Sequence, residues 1–414
     1  MDWSFLIKGK EALHVTTDSR KVAPGCVFVA LKGEHFDGND FVEQAKRDGA
    51  EYVLSGENAL AELQDLARAW RRELGLPILG ITGTNGKTTT KELCAAVLSS
   101  KYNLYYTQGN LNNQLGVPLT LLNITRAHEM AIVEMGASHP GDIRELVEIA
   151  EPDYGLITNV GRAHLEGFGS FEGVMRTKAE LYDFLCAHGG TIFRNADNPH
   201  LEKMYLSACE ASGLSANGQQ PTANSQPPVL YHTGTMPEGT HLVGGYNAEN
   251  VSAAVCVGEY FGVSHEAALA AIRAYVPSNN RSQLMQTEKN TVVVDAYNAN
   301  PTSMQAAIEA FSHQLSDRSD LQVRPASAYI LGAMRELGEY SHTEHQNIVN
   351  MLLERKAEKV LLVGEEYKKT TAPYLVLENV EALCEYLQKE PLKGYTILLK
   401  GSRSNQLEKV IPYL

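Results

Sequence analysis

The sequence predicts an α/β protein of three domains: a small N-terminal α/β domain at 1–77, a central parallel-sheet domain at 78–277 and a C-terminal Rossmann-like domain at 278–414. At 414 residues the chain exceeds what one hydrophobic core usually organises. Short apolar runs alternate with helical stretches along most of it, the pattern of parallel strands covered by helices. A glycine-rich turn, Gly80-Ile-Thr-Gly-Thr-Asn-Gly-Lys-Thr-Thr-Thr90, joins the apolar run Pro77-Ile-Leu79 to the helical stretch Lys91-Glu-Leu-Cys-Ala-Ala-Val-Leu98, which makes the central domain P-loop ATPase-like.

In the first domain, Val27-Phe-Val-Ala-Leu31 and Tyr52-Val-Leu54 read as buried strands, with a short helix over Phe41–Asp48 between them. Apolar residues at Leu60, Leu63, Leu66, Ala67, Trp70 and Leu74 fall at helical spacing; Gly75 stops that helix and Pro77 opens the next segment. Met130-Ala-Ile-Val133 and Tyr154-Gly-Leu-Ile157 are further strands of the central sheet. The Gly-, Ser-, Asn-, Gln- and Pro-rich segment Ala211–Pro228 reads as a surface loop, and Val276-Pro-Ser-Asn-Asn280 as a linker. Beyond it, Thr291-Val-Val-Val294, Ala328-Tyr-Ile-Leu331, Lys359-Val-Leu-Leu-Val363 and Tyr395-Thr-Ile-Leu-Leu399 predict a second doubly wound sheet.

An apolar fraction of 43% and a charged fraction of 21% are those of a globular protein. A net charge of −13 argues against a nucleic-acid backbone as partner but not against a nucleotide, which a local field can hold. Six scattered cysteines with no Cys-x-x-Cys pair suit a reducing compartment and neither a disulfide framework nor a zinc site. The first eight residues carry too short an apolar run for a signal peptide, and no run approaches the ~20 apolar residues of a membrane span. A cytoplasmic protein is expected.

A glycine-rich turn leading into a helix gathers backbone N–H groups at the positive helix end, where phosphate binds. Gly83, Thr84, Asn85, Gly86, Lys87, Thr88 and Thr89 form that turn here; Lys87 is placed to reach terminal phosphates and the Thr88 hydroxyl to hold magnesium. Against the general pattern, Ile81 stands where a glycine is expected. Glu134 closes an apolar strand, where a carboxylate can share that magnesium or simply be an exposed strand-end acid. His164, in Thr158-Asn-Val-Gly-Arg-Ala-His164, reads equally as a second metal ligand or as a surface group. By spacing alone Lys178 is a surface helix lysine and Arg281 a linker residue.

Taken together, these runs resemble the Mur ligases, the ATP-dependent amide-forming enzymes of peptidoglycan precursor synthesis, over essentially the whole chain. Gly83–Thr88 looks like the family's own P-loop variant, and Thr107-Gln-Gly-Asn-Leu-Asn-Asn-Gln-Leu-Gly-Val-Pro118 like its substrate and phosphate loop, which implicates Asn110, Asn112 and Asn113. The resemblance implies two magnesium ions held by Thr88, Glu134, His164 and Lys178, with Lys178 carried as a carbamate. It implies that Asn247 and Asn250, in Gly245-Tyr-Asn247-Ala-Glu-Asn250, lie on the adenine side, although Asn247 also reads as a helix cap. Arg281 and Asp295 would reach ATP when the C-terminal domain closes. Val294-Asp295-Ala-Tyr-Asn-Ala-Asn300-Pro301, Leu331-Gly-Ala-Met-Arg-Glu-Leu-Gly338 with His345, and Leu399-Lys-Gly-Ser-Arg-Ser404 are similar to segments of the family's D-alanyl-D-alanine-adding branch, and place Asn298 and Asn300 near substrate. Thr17-Asp-Ser-Arg20, Pro24–Gly33 and Phe36-Asp-Gly38 resemble its UDP-sugar domain, with Ser19 and Arg20 as contacts. Three positions depart: Ala333 replaces a common Asp, only Asp295 remains of an acid pair, and Ala296 replaces Ser.

The resemblance implies a catalytic set of Lys87, Lys178, His164, Arg281 and Asp295. It implies a monomer joining D-alanyl-D-alanine to UDP-N-acetylmuramoyl-tripeptide through an acyl phosphate, with ATP split to ADP and phosphate. Two alternatives remain: a sibling ligase adding one amino acid to a shorter UDP-muramoyl peptide, and a noncatalytic P-loop switch. The sibling is disfavoured because no Asp-Asn-Pro-Arg motif occurs in the C-terminal domain; Asp197-Asn-Pro-His200 is central.

Overall fold

The computed structural model describes residues 1–33, 36–213, 227–277, 280–317 and 326–414. Most of the expected loop 211–228 and part of the linker 276–280 lie outside the described residues.

The three sheets follow from the apolar runs. In the first, β1 (Val15–Thr16), β2 (Val27–Val29) and β3 (Tyr52–Leu54) pair in parallel in that order. The strand expected to reach Leu31 ends at Val29, because the chain turns at Ala30 and Leu31 to bond Leu54 and Gly38. The helix expected over Phe41–Asp48 is a 3-10 turn at Gly38–Phe41 followed by helix Val42–Arg47. Helix Ala59–Leu74 has the expected apolar face and ends at Gly75, whose φ of 63° is a left-handed cap. That face packs on the helices at Gly116–Leu122 and Asp142–Ala150, so the first unit shares one continuous core with the central one. Trp70 Nε1 donates to Ile124 O at 2.9 Å, and Arg71 bonds Glu151 O and Asp153 across the same seam.

The central sheet contains β4 (Ile78–Thr82), β5 (Leu104–Tyr106), β6 (Met130–Glu134), β7 (Tyr154–Ile157), β8 (Thr191–Asn195) and β9 (Val229–Tyr231), all parallel in the order β5-β6-β4-β7-β8-β9. β4 and β6 are buried throughout, as strands covered on both faces must be. The order reverses at β4: later strands add to both of its sides. Ligands of such sheets sit in the crevice beyond the strand carboxyl ends at that reversal. Thr82, Glu134 and Ile157 are the carboxyl ends of β4, β6 and β7, so the P-loop, Glu134 and the loop at 158–164 meet there.

The third sheet contains β10 (Gln283–Gln286), β11 (Thr291–Asp295), β12 (Ala326–Gly332), β13 (Lys359–Val363), β14 (Leu375–Leu377) and β15 (Tyr395–Lys400), in the order β10-β11-β15-β12-β13-β14 with only β10 antiparallel. Alternation splits its core in two: Val293, Leu331 and Leu398 pack on one face, and Val292, Val294, Ile330 and Leu399 on the other. Asp295 and Lys400 end neighbouring strands, and those ends face the P-loop of the central sheet. No described helix is long and apolar enough to cross a membrane.

His345 fixes the turn after β12. It is fully buried; its Nε2 accepts from Met334 N at 3.0 Å, and its Nδ1 lies 2.7 Å from Ser341 O and donates to it. Burial pushes the imidazole below its ordinary 6.5, partly opposed by the Ser341 carbonyl. The folded state therefore favours the neutral ring. Its contribution is complete above the unfolded value and is lost as pH falls through the depressed folded one. The melting temperature is expected to fall from about pH 6.5 downward, and His345→Gln, although less stable at neutral pH, should lack that part of the acid slope. Parallel slopes in thermal melts would refute the assignment.

Candidate active site

The P-loop is shaped by its glycines. Gly83 has φ 143°, and a Cβ there would lie 2.0 Å from Thr158 Oγ1; Gly86 has φ 79°, and its Cβ would meet Asn250 Oδ1 at 2.4 Å. The loop is tied to the segment after β7: Thr84 N donates to Asn159 O at 2.9 Å, Asn85 N to Asn159 Oδ1 at 3.0 Å, and Thr158 Oγ1 to Asn85 O at 2.6 Å. Helix Lys87–Leu98 begins at Lys87, one turn earlier than the apolar pattern indicates, and has no side-chain cap. Its first N–H groups thus face the crevice, a cavity of about 720 Å³ between the central and C-terminal sheets.

Lys87 turns back on its own loop, donating to Gly83 O at 2.8 Å and Thr84 O at 3.1 Å. Surrounding protein pushes its amine down to about 8, with Glu134 opposing and Arg281 adding to the shift. Glu134 is buried. Its Oε1 accepts from Thr88 Oγ1 at 3.2 Å and Asn112 Nδ2 at 2.8 Å, while Oε2, 3.7 Å from Lys91 Nζ, accepts no hydrogen bond. Lys91, to which the sequence reading gives no role, is fully buried and donates to Thr107 O at 2.7 Å. Only its place one turn after Lys87 signalled this.

Lys178 is buried too, with its amine 5.7 Å from the centre of the Phe168 ring. Burial first, then Lys87, hold it well below the ordinary lysine value, against Asp142 and Glu180. Among the described residues no carboxylate lies within 4.0 Å of its Nζ. His164 adopts φ 49° and sets its Nδ1 against the Glu336 carboxylate of the C-terminal domain. Burial pushes the His164 ring down, opposed by Glu336.

The C-terminal domain closes over this wall. Asn300 Nδ2 donates to Asn85 Oδ1 at 2.8 Å, Arg162 N to Thr302 Oγ1 at 3.0 Å, and Arg162 pairs with Glu344 at 2.9 Å. Arg281 stacks on Tyr297, 3.7 Å from the ring centre, and its buried Nε has no partner. Asp295 takes Lys400 Nζ at 2.6 Å and Ser282 N at 3.2 Å.

Of the expected residues, the cavity gathers Thr84–Thr89, Asn110, Asn112, Asn113, Glu134, His164, Asn247, Asn250, Arg281, Asp295, Asn298 and Asn300. Gly83 lies beneath the loop, and Lys178 stands behind the cavity wall. Asn247 does not cap its helix: it is the first helical residue, and its Nδ2 donates back to Val243 O at 2.8 Å. Asn250 accepts from Thr90 Oγ1 at 3.0 Å and so braces the P-loop helix. Ser19 and Arg20 are not brought to this cavity; Arg20 is exposed and pairs with Asp18 at 2.8 Å. The sequence reading missed Glu336, Tyr297, Ser282 and Lys400, although Glu336, Tyr297 and Lys400 lay inside quoted motifs.

Among the described residues no three His, Cys, Asp or Glu side chains form a metal centre. The unpartnered Glu134 oxygen beside the Thr88 hydroxyl suits instead a hard ion that arrives with phosphates, since magnesium commonly takes one or two protein oxygens and completes its shell from substrate and water.

Residues 12–93 match the Mur ligase family catalytic domain, 81–258 the Mur ligase middle domain, and 280–403 the Mur ligase glutamate ligase domain. The chain belongs to the Mur ligase family. It is 33% identical over 435 residues to the UDP-N-acetylmuramoyl-tripeptide--D-alanyl-D-alanine ligase of Bacillus subtilis (strain 168), covering 96% of this chain and 92% of that protein. It is 32% identical over 426 residues to the enzyme of the same name from Escherichia coli (strain K12), at the same coverages. Among solved structures, a MurF ligase from Thermotoga maritima in complex with ADP superposes with a TM-score of 0.81 at 27% identity, covering 98% of each chain.

Proposed function

We propose that this protein joins D-alanyl-D-alanine to the terminal carboxylate of UDP-N-acetylmuramoyl-tripeptide, splitting ATP to ADP and phosphate. The observation that carries the reading is the single cavity in which an uncapped P-loop helix, Lys87, Arg281 and Glu134 face the C-terminal domain, in a chain aligned end to end with relatives named for that reaction.

In the first half-reaction a carboxylate oxygen attacks the γ-phosphorus and ADP leaves, giving an acyl phosphate. In the second, the dipeptide amine attacks the acyl carbon, phosphate leaves, and the amine's proton is released. Two magnesium ions, when bound with ATP, would neutralise charge on the phosphates, with Thr88, Glu134, His164 and carbamylated Lys178 as protein ligands. Burial holds the Lys178 amine below the ordinary lysine value and so favours the neutral form that adds to carbon dioxide, and the carbamate is an oxygen donor suited to a hard cation. The P-loop N–H groups of residues 84–89 and Lys87 bind the phosphates, Arg281 adds a second cation from the C-terminal side, and the Asp295–Lys400 pair positions the segment bearing Arg281 through Ser282. Asn247 and Asn250 form the adenine side; Asn110, Asn112, Asn113, Asn298 and Asn300 line the route of the substrates. Closure excludes water that would hydrolyse the acyl phosphate.

Ser19 and Arg20 belong, on this reading, to a separate uridine end of the precursor site. It further includes domain limits at 77/78 and 277/278, a monomeric state and a cytoplasmic location. Phosphate release tests the reading: it is expected only when ATP, the UDP-tripeptide and D-alanyl-D-alanine are all present. Release without the dipeptide would instead favour a nucleotide switch, and release with one amino acid and a shorter UDP-peptide would favour a sibling ligase.

A further inference from the structure

Five carboxylates line the cavity, and four already have donors that occupy them. Glu134 accepts from Thr88 and Asn112. Asp142 Oδ2 accepts from Ser138 N and His139 N, both at 2.8 Å, and Oδ1 from Gln114 at 3.1 Å. Glu249 is held by Asn195 at 3.0 Å, and Asp295 by Lys400. The Glu336 carboxylate alone accepts from no Lys, Arg, amide, hydroxyl or backbone donor among the described residues; the one polar group set against it is the His164 ring.

Its backbone is set for that position. Glu336 has φ 60°, a left-handed conformation that a residue with a Cβ adopts at some cost. Its carbonyl accepts from Glu166 N at 3.3 Å, so the strained turn after β12 is pinned to the central domain. The side chain is 59% exposed and points into the cavity rather than into the domain's own core.

A cavity furnished with Lys87 and Arg281 serves anionic partners: phosphates and a carboxylate. The amine substrate enters as an ammonium ion and needs an anionic group in the same space. We infer that Glu336 is the group that binds and orients this ammonium, as a residue in direct contact with the amine substrate. The inference rests on the ligase reading. Because Glu336 arrives with the C-terminal domain, the amine is captured on the closed form, in which the acyl phosphate is shielded from water.

Steady-state phosphate release tests this with Glu336→Gln, which keeps size and hydrogen bonding but removes the charge. The KM for D-alanyl-D-alanine is expected to rise about tenfold or more, the usual scale for losing a charge-assisted hydrogen bond, while the KM values for ATP and the UDP-tripeptide move less than about twofold. Glu336→Asp, which keeps the charge on a shorter stem, should recover part of the loss. An unchanged dipeptide KM, or all three KM values rising together, would overturn the inference and leave Glu336 as an interdomain contact. Dipeptide-independent turnover of the unsubstituted protein would overturn the ligase reading itself, and this inference with it.

Discussion

Lys87→Met is expected to lower turnover by on the order of 10³-fold or more, the scale of removing a preorganised cation from a phosphoryl-transfer site. The size of the effect follows from what else the cavity offers. Lys400 is committed to Asp295 at 2.6 Å, and Arg281 is stacked on Tyr297 on the far wall. Only Lys87 rises from the P-loop itself, where its amine is held by the loop carbonyls until phosphate oxygens replace them. Methionine keeps most of the stem's packing, so the melting temperature without nucleotide should change little, while stabilisation by added ATP is lost. Wild-type turnover in this variant would remove Lys87 from the mechanism.

The second large effect is expected at Lys178. Lys178→Ala should reduce turnover by about 10²–10³-fold, as loss of one charge-stabilising group does. The residue lies within the wall, too deep to touch substrate directly, with a ring against its amine and its proton affinity held well below that of an ordinary lysine. Such an amine gives up its proton more readily than an ordinary lysine and is the more open to carbon dioxide for it. Isotopically labelled bicarbonate should therefore give a carbamate carbon resonance in the unsubstituted protein that is missing from the variant. A resonance common to both, or a variant of full activity, would remove the carbamate from the account.

The strands that build the site were legible in the sequence because parallel central strands are continuous apolar runs: Tyr154–Ile157 and Lys359–Val363 fall where the pattern places them. The strands that pattern reading passes over are short, half-buried or marginal. β5 is three half-buried residues, β8 carries Arg194 and Asn195 into a buried setting, and β10 is a polar edge strand. The site divides likewise. Thr88 stands in the first turn of the helix after β4, Glu134 ends β6 and His164 lies in the loop beyond β7, so order along the chain suffices to group them. Glu336 and Lys91 take their positions from partners far along the chain, His164 and Thr107 O. Asn247 shows the limit of capping rules: its side chain turned back to a carbonyl because Gly244 and Gly245 already form the entry to its helix.

The central claim is the acyl phosphate, and isotope transfer tests it most directly. UDP-N-acetylmuramoyl-tripeptide labelled with heavy oxygen in its terminal carboxylate would be turned over with ATP and D-alanyl-D-alanine, and the released phosphate weighed by mass spectrometry. The account predicts phosphate carrying one labelled oxygen, because that oxygen bridges carbon and phosphorus in the intermediate and leaves with the phosphate. Unlabelled phosphate formed alongside the amide product would contradict it.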